Sequence, residues 1–208
     1  MLFERVGGAL AYLFFRVGAS PNAVTLMGGV AGIAGATRLG TATDGVHLAA
    51  AAALLLLAYS LDCADGQLAR ATQRASPQGA WLDLTVDSVV IAFLSTSLSY
   101  ALHAGGISSP WSFLLAGAFG ASRVSSLFTS GRVKGAGEGG IELAGLRAVS
   151  RTAYIAMIET PFVYVLLCAS RLEGDLFTAI IAAVTTLTAI KTAISARAHF
   201  SSSRDRAD

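Results

Sequence analysis

Four aspartates, Asp62, Asp65, Asp83 and Asp87, fall within 26 residues of a chain that is otherwise strongly apolar. Asp62 and Asp65 are three residues apart and Asp83 and Asp87 four apart, so on helices each pair projects from one face, one turn above the other. A charged side chain at the centre of a bilayer costs roughly 2.5 to 3.5 kcal/mol, and four facing lipid would cost on the order of ten. They must therefore face protein, water or a cation. Clustered carboxylates repel one another unless cations sit between them. All-oxygen ligands select hard ions, Mg2+, Mn2+ or Ca2+, and the absence of a neighbouring His or thiolate set argues against zinc. A pair of such ions at a membrane surface suits in-line displacement at phosphorus, with a diphosphate as substrate. Gly66 and Ala69 carry almost no side chain where a bound group comes close, and Arg70 can clamp a phosphate with its planar fork. Gly79 shares a face with Asp83 and Asp87. Helix packing alone would explain the small residues as well. The alternative for the aspartates is a cation or proton site in a membrane transporter, although transporters more often place such sites near the midplane on broken helices. Structural bridges to arginine would want about as many arginines nearby, and only Arg70 and Arg74 are close in sequence.

The elements that hold these residues are membrane spans. The chain has 208 residues, 54% hydrophobic and 13% charged, with a mean hydropathy of +0.62, too high for an ordinary soluble domain. We expect an all-α membrane protein, a single domain over 1–198. It comprises an N-terminal interfacial amphipathic helix (1–18) and six transmembrane helices at about 22–39, 46–68, 80–102, 110–129, 150–170 and 175–195. The first stretch has no small-residue cleavage site and reads as retained rather than as a signal peptide. Ser20 caps the first span, with Pro21 as its first residue. Gly28, Gly29, Gly32 and Gly35 then form a small-residue face for close helix packing. The second and third spans, joined by a short polar link, are antiparallel neighbours, which brings both aspartate pairs to one mouth. The tail 199–208 is expected to be disordered.

Of the 15 Lys and Arg residues, only Arg38 and Arg171 fall opposite the termini. The positive-inside rule then puts both termini and the aspartates on the cytoplasmic side, in a multi-pass protein of the cell membrane. A net charge of +2 implies no nucleic-acid surface. Cys63 and Cys168 lie in apolar segments and read as packing residues rather than a disulfide. The glycine-rich loop 131–145 follows no strand, so it does not fit a dinucleotide fingerprint. His47, His103 and His199 lie near span ends, each without a second histidine at ligand spacing.

The pattern Asp62-x2-Asp65-Gly66-x2-Ala69-Arg70-x8-Gly79-x3-Asp83-x3-Asp87 resembles the signature of the CDP-alcohol phosphatidyltransferase family, with every fixed position present. The resemblance implies that a CDP-linked lipid such as CDP-diacylglycerol is attacked by the hydroxyl of an alcohol, releasing CMP, with two divalent cations, Mg2+ or Mn2+, in the site. By position it implies Asp62, Asp65 and Asp83 as metal ligands. It further implies that Asp87 completes the cluster and acts as general base, that Gly66 and Ala69 pack on the cytidine, and that Arg70 holds phosphate. Pro21, Asn22 and Thr25 resemble the family's entry to the first span, where Asn22 and Thr25 can reach the diphosphate. Ser88 departs from the basic residue that many relatives carry after the last aspartate. Relatives also imply a homodimer within membrane lipid.

The acceptor is open. Candidate contacts are Arg123, Arg132, Lys134, Arg147, Arg151 and Lys191, basic residues at the cytoplasmic ends of the last three spans, though basic loops also set topology. Arg147 and Arg151 can share one face, which favours an anionic acceptor such as inositol phosphate or glycerol phosphate. Serine, an amino alcohol or phosphatidylglycerol are the other classes. Glu159 is the acidic residue whose facing inside the fifth span the sequence leaves open.

Overall fold

The computed structural model describes residues 2–135, 163–164, 167–168 and 174–204. Its elements are α1 (Leu2–Arg16), α2 (Pro21–Thr41), α3 (Gly45–Ala71), α4 (Pro77–Ala104), α5 (Ser109–Gly135) and α6 (Gly174–Arg204), with no strand among the described residues. The expected all-α class is met. Three helices, α2, α3 and α4, are long and apolar enough to cross a membrane.

Helix boundaries follow side-chain chemistry. Ser20 accepts from the Ala23 N–H at 3.2 Å and Ser76 from the Gly79 N–H at 3.1 Å, each with a proline opening the helix that follows. At the other end of the bundle, Asp44 caps α3 by accepting from the His47 N–H at 2.9 Å, and its second oxygen meets the His47 ring at 2.9 Å. α3 does not stop at the acidic stretch but carries it to Ala71. There Gln73 N–H bonds to Arg70 C=O and Arg74 N–H to Ala69 C=O, a Schellman closure. This closure needs a left-handed residue. Gln73 supplies it at φ 56°, where the equivalent closure after α4 uses Gly106 at φ 96°.

The glycines of α2 let three helices meet closely. A Cβ on Gly35 would lie 2.9 Å from Leu55 Cγ on α3, and one on Gly29 would lie 2.6 Å from Val86 Cγ1 on α4. α2 is therefore clamped between the two aspartate-bearing helices, as its small-residue face implies. α1 docks on the acidic end of α3, with Gly7 against Cys63 and Leu10 and Phe14 packed beside Leu61, Ala64 and Leu68. Its apolar residues are split, however, because Val6, Tyr12, Leu13 and Phe15 face outward. The larger core lies deeper, where Leu39, Leu55, Leu94, Leu98, Phe119 and Ile181 are each at most 2% exposed.

α6 runs to Arg204 and so includes residues 199–204 of the expected tail. Most of the expected fifth span, with Glu159, lies outside the described residues. Of that span, Val163, Tyr164, Leu167 and Cys168 are buried and helical.

Candidate active site

α3 ends and α4 begins at the same end of the bundle, so the three- and four-residue spacings bring all four aspartates together. Asp62, Asp83 and Asp87 each place a carboxylate oxygen so that the three lie within 4.8 Å of one another. Asp65 stands beside this group, 5% exposed, and its Oδ2 is buried with no hydrogen-bond partner among the described residues. A buried carboxylate oxygen without a partner beside three crowded carboxylates leaves negative charge concentrated at one point. This fits hard divalent cations, which take oxygen ligands and supply the missing positive charge.

Two cavities share this acidic wall. The outer one, about 200 Å³, is bounded by Gly66, Ala69 and Arg70 of α3, by Asn22 and Thr25 of α2, and by Gly79 of α4. All six residues expected on the donor side are thus brought together. Its rim adds Arg74 and Ser76. The N-termini of both α2 and α4 open onto it, so two helix dipoles and two arginines favour an anion there. A Cβ on Gly66 would lie 3.3 Å from Arg70 Nη1, so the missing side chain leaves the guanidinium its place. The Thr25 hydroxyl donates to the Pro21 carbonyl at 3.1 Å, which fixes it at the junction of the two cavities.

The inner cavity, about 170 Å³, lies on the far side of Asp65 and Asp83, both of which line the two spaces. Asp62 and Asp87 line it together with Tyr59, Arg123 and Tyr164, and with Leu94, Phe119 and Val163. Arg123 comes to Asp87 by helix register. Gly120 of α5 packs on Ser95 and Ile91 of α4, so one turn along the antiparallel helix Arg123 arrives opposite Asp87, and the two interact electrostatically.

Of the six basic residues expected at the acceptor, Arg123 is the one whose side chain is among the described residues, and it lines the inner cavity. Arg132 and Lys134 lie on α5 about 13 Å or more further along the axis. Lys191 lies on α6. The side chains of these three, and Arg147 and Arg151 altogether, lie outside the described residues. Ser88, which replaces an expected basic residue, donates to the Leu84 carbonyl of its own helix at 2.8 Å. Sequence reasoning passed over Tyr59, Arg74, Ser76 and Tyr164. Tyr59 stands one turn before Asp62 on the same face, and Ser76-Pro77 repeats the Ser20-Pro21 cap, so both had a readable signal. Tyr164 had none, because it reaches the cavity only through the tertiary fold.

A family profile described as CDP-alcohol phosphatidyltransferase matches residues 19–194. The chain is also similar in fold to crystal structures of phosphatidylinositol phosphate synthase from Mycobacterium tuberculosis. With CDP-DAG bound, that enzyme superposes at a TM-score of 0.61 and 19% identity, covering 93% of this chain and 92% of the other. In complex with manganese and citrate it superposes at 0.58 and 18%, covering 91% and 88%. In apo form it gives 0.58 and 19%, covering 90% and 94%. No curated protein sequence matches the chain significantly.

Proposed function

The chain belongs to the CDP-alcohol phosphatidyltransferase family and is a membrane-embedded phosphotransferase. From that premise we propose that it transfers a phosphatidyl group from CDP-diacylglycerol, or a related CDP-lipid, to the hydroxyl of an alcohol acceptor. The observation that carries this reading is the acidic wall itself, with an anion-favouring pocket on one side and a small mixed cavity on the other. A donor diphosphate and an acceptor hydroxyl entering from the two sides would meet at Asp65 and Asp83.

In this reading the cytidine packs over Gly66 and Ala69, which have no side chain to obstruct it. Arg70 holds a donor phosphate, helped by the helix starts at Asn22, Thr25 and Gly79. Asp62, Asp65, Asp83 and Asp87 would hold two divalent ions, Mg2+ or Mn2+. When bound, such ions neutralise the phosphoryl oxygens and the leaving group. Asp87 faces the inner cavity, where it accepts the proton of the acceptor hydroxyl. The acceptor oxygen forms its bond to phosphorus as the bond to the CMP oxygen breaks, and CMP leaves by the outer pocket. A carboxylate is a weak base for an alcohol, so Asp87 must lie within hydrogen-bond reach of that hydroxyl when the acceptor binds. The basic residues of the second half favour an anionic acceptor such as inositol phosphate or glycerol phosphate.

The wider setting follows the same reading: six spans, termini and active site on the cytoplasmic face of the cell membrane, and a homodimer. The one-sided distribution of Lys and Arg supports the orientation. The outward Tyr12, Leu13 and Phe15 of α1 support a helix lying at the interface. The test is CMP release from CDP-diacylglycerol by the purified protein with a panel of alcohols, with Mg2+ or Mn2+ and with chelator. Release with at least one acceptor, lost on chelation, is expected. No release with any acceptor, together with cation flux in liposomes, would overturn the reading.

A further inference from the structure

The inner cavity is not a uniform acidic pit. Lining it with the carboxylates are a guanidinium and two phenols, Arg123, Tyr59 and Tyr164, contributed by α5, α3 and the segment holding Val163. Each belongs to a different stretch of the chain, and Tyr164 is 9% exposed, so these polar groups are held in place by packing rather than by solvent. Among the described residues Arg123 is the one basic side chain that lines this space. A volume of about 170 Å³ is enough for a small head group.

From this arrangement we infer that Arg123, Tyr59 and Tyr164 form the specificity element of the acceptor site, selecting a small soluble polyol that carries a phosphate a few bonds from its attacking hydroxyl. The inference rests on the proposed transfer reaction and names the acceptor class for it. Asp87 and Arg123 both line one small cavity, so a single compact molecule reaches both, its hydroxyl toward the carboxylate and its phosphate toward the guanidinium. Arg123 offers the planar donor fork that suits phosphate oxygens, and each phenol adds one O–H donor. That cationic wall favours a phosphorylated acceptor over its bare polyol. With it, an amino alcohol would place its own positive charge against a guanidinium.

The test compares the intact protein and its Arg123→Gln, Arg123→Lys and Tyr164→Phe variants in lipid nanodiscs with CDP-diacylglycerol. The acceptors are glycerol 3-phosphate and inositol 1-phosphate, their unphosphorylated polyols, ethanolamine, and phosphatidylglycerol as a lipid-borne phosphate. Selectivity is scored as the ratio of kcat/KM between acceptors, which does not depend on how much variant folds. The wild type should prefer a soluble polyol phosphate. Arg123→Gln should erode its preference over the bare polyol by roughly 10- to 100-fold through the acceptor KM, the loss expected for a charged hydrogen bond. Arg123→Lys should recover part of this, Tyr164→Phe should show a smaller loss, and the donor KM should stay within about two-fold in all three. Wild-type preference for ethanolamine, a bare polyol or phosphatidylglycerol would overturn the inference while leaving the transfer reaction intact. So would an Arg123→Gln variant whose acceptor ratios do not change. Absence of CMP release with every acceptor would instead remove the transfer reaction, and the inference with it.

Discussion

The outer pocket is walled by α2, α3, the turn 72–76 and the first turn of α4, all within residues 21–83. The inner cavity shares Thr25, Asp65 and Asp83 with it but is completed by Phe119, Arg123, Val163 and Tyr164 from the far half of the chain. One space is made by neighbouring helices joined through a five-residue link, the other by helices that meet only when the whole bundle has formed. A donor common to a family can be bound by a local, compact pattern. An acceptor that differs among relatives is more readily changed on helices outside that pattern.

If the two spaces have separate duties and a common wall, substitutions should sort accordingly. The largest effect belongs to the wall. Asp62→Asn or Asp83→Asn should lower CMP release on the order of 10³-fold with every acceptor, as should chelation of divalent ions in the wild type. Next comes Asp87→Asn, which removes the proposed base. Its kcat should fall about 10²-fold, while binding of the CDP-lipid, read by equilibrium titration, persists. If Asp87→Asn keeps full turnover while Asp62→Asn abolishes it, the base assignment is wrong. A smaller effect is expected from filling the outer pocket alone: Ala69→Leu should raise the donor KM about ten-fold and leave the acceptor KM unchanged. Least selective is the scaffold. Gly29→Ala would put a Cβ 2.6 Å from Val86 Cγ1, which forces α2 from α4 and should cost about 1 to 3 kcal/mol in thermal denaturation. Because Val86 adjoins Asp87, both substrates' kinetics should suffer together.

The same division explains what could be read from residues alone. The donor side was legible because Asp62 to Asp87 and the Ser20-Pro21 cap are local patterns, in which helical spacing converts sequence into a face. The helices α2, α3 and α4 were legible through their apolar length, although their ends were not. α3 runs to Ala71 and α4 starts at Pro77, because capping by Ser76 and the left-handed Gln73 decide those ends rather than hydropathy. The acceptor side was only partly legible. Arg123 was one of six basic candidates, of which the sequence singled out Arg147 and Arg151 for their shared face, and its place in the cavity needed the packing of Gly120 on Ser95, a contact between residues 25 positions apart. Tyr164 carried no local mark at all.

Bisubstrate steady-state kinetics on Arg70→Gln and Arg123→Gln test the division of labour most directly. If the outer pocket serves the donor and the inner cavity the acceptor, Arg70→Gln should raise the KM for CDP-diacylglycerol roughly ten-fold or more and leave the acceptor KM unchanged, and Arg123→Gln should do the reverse. Two variants that raise the same KM, or each raise both equally, would contradict it.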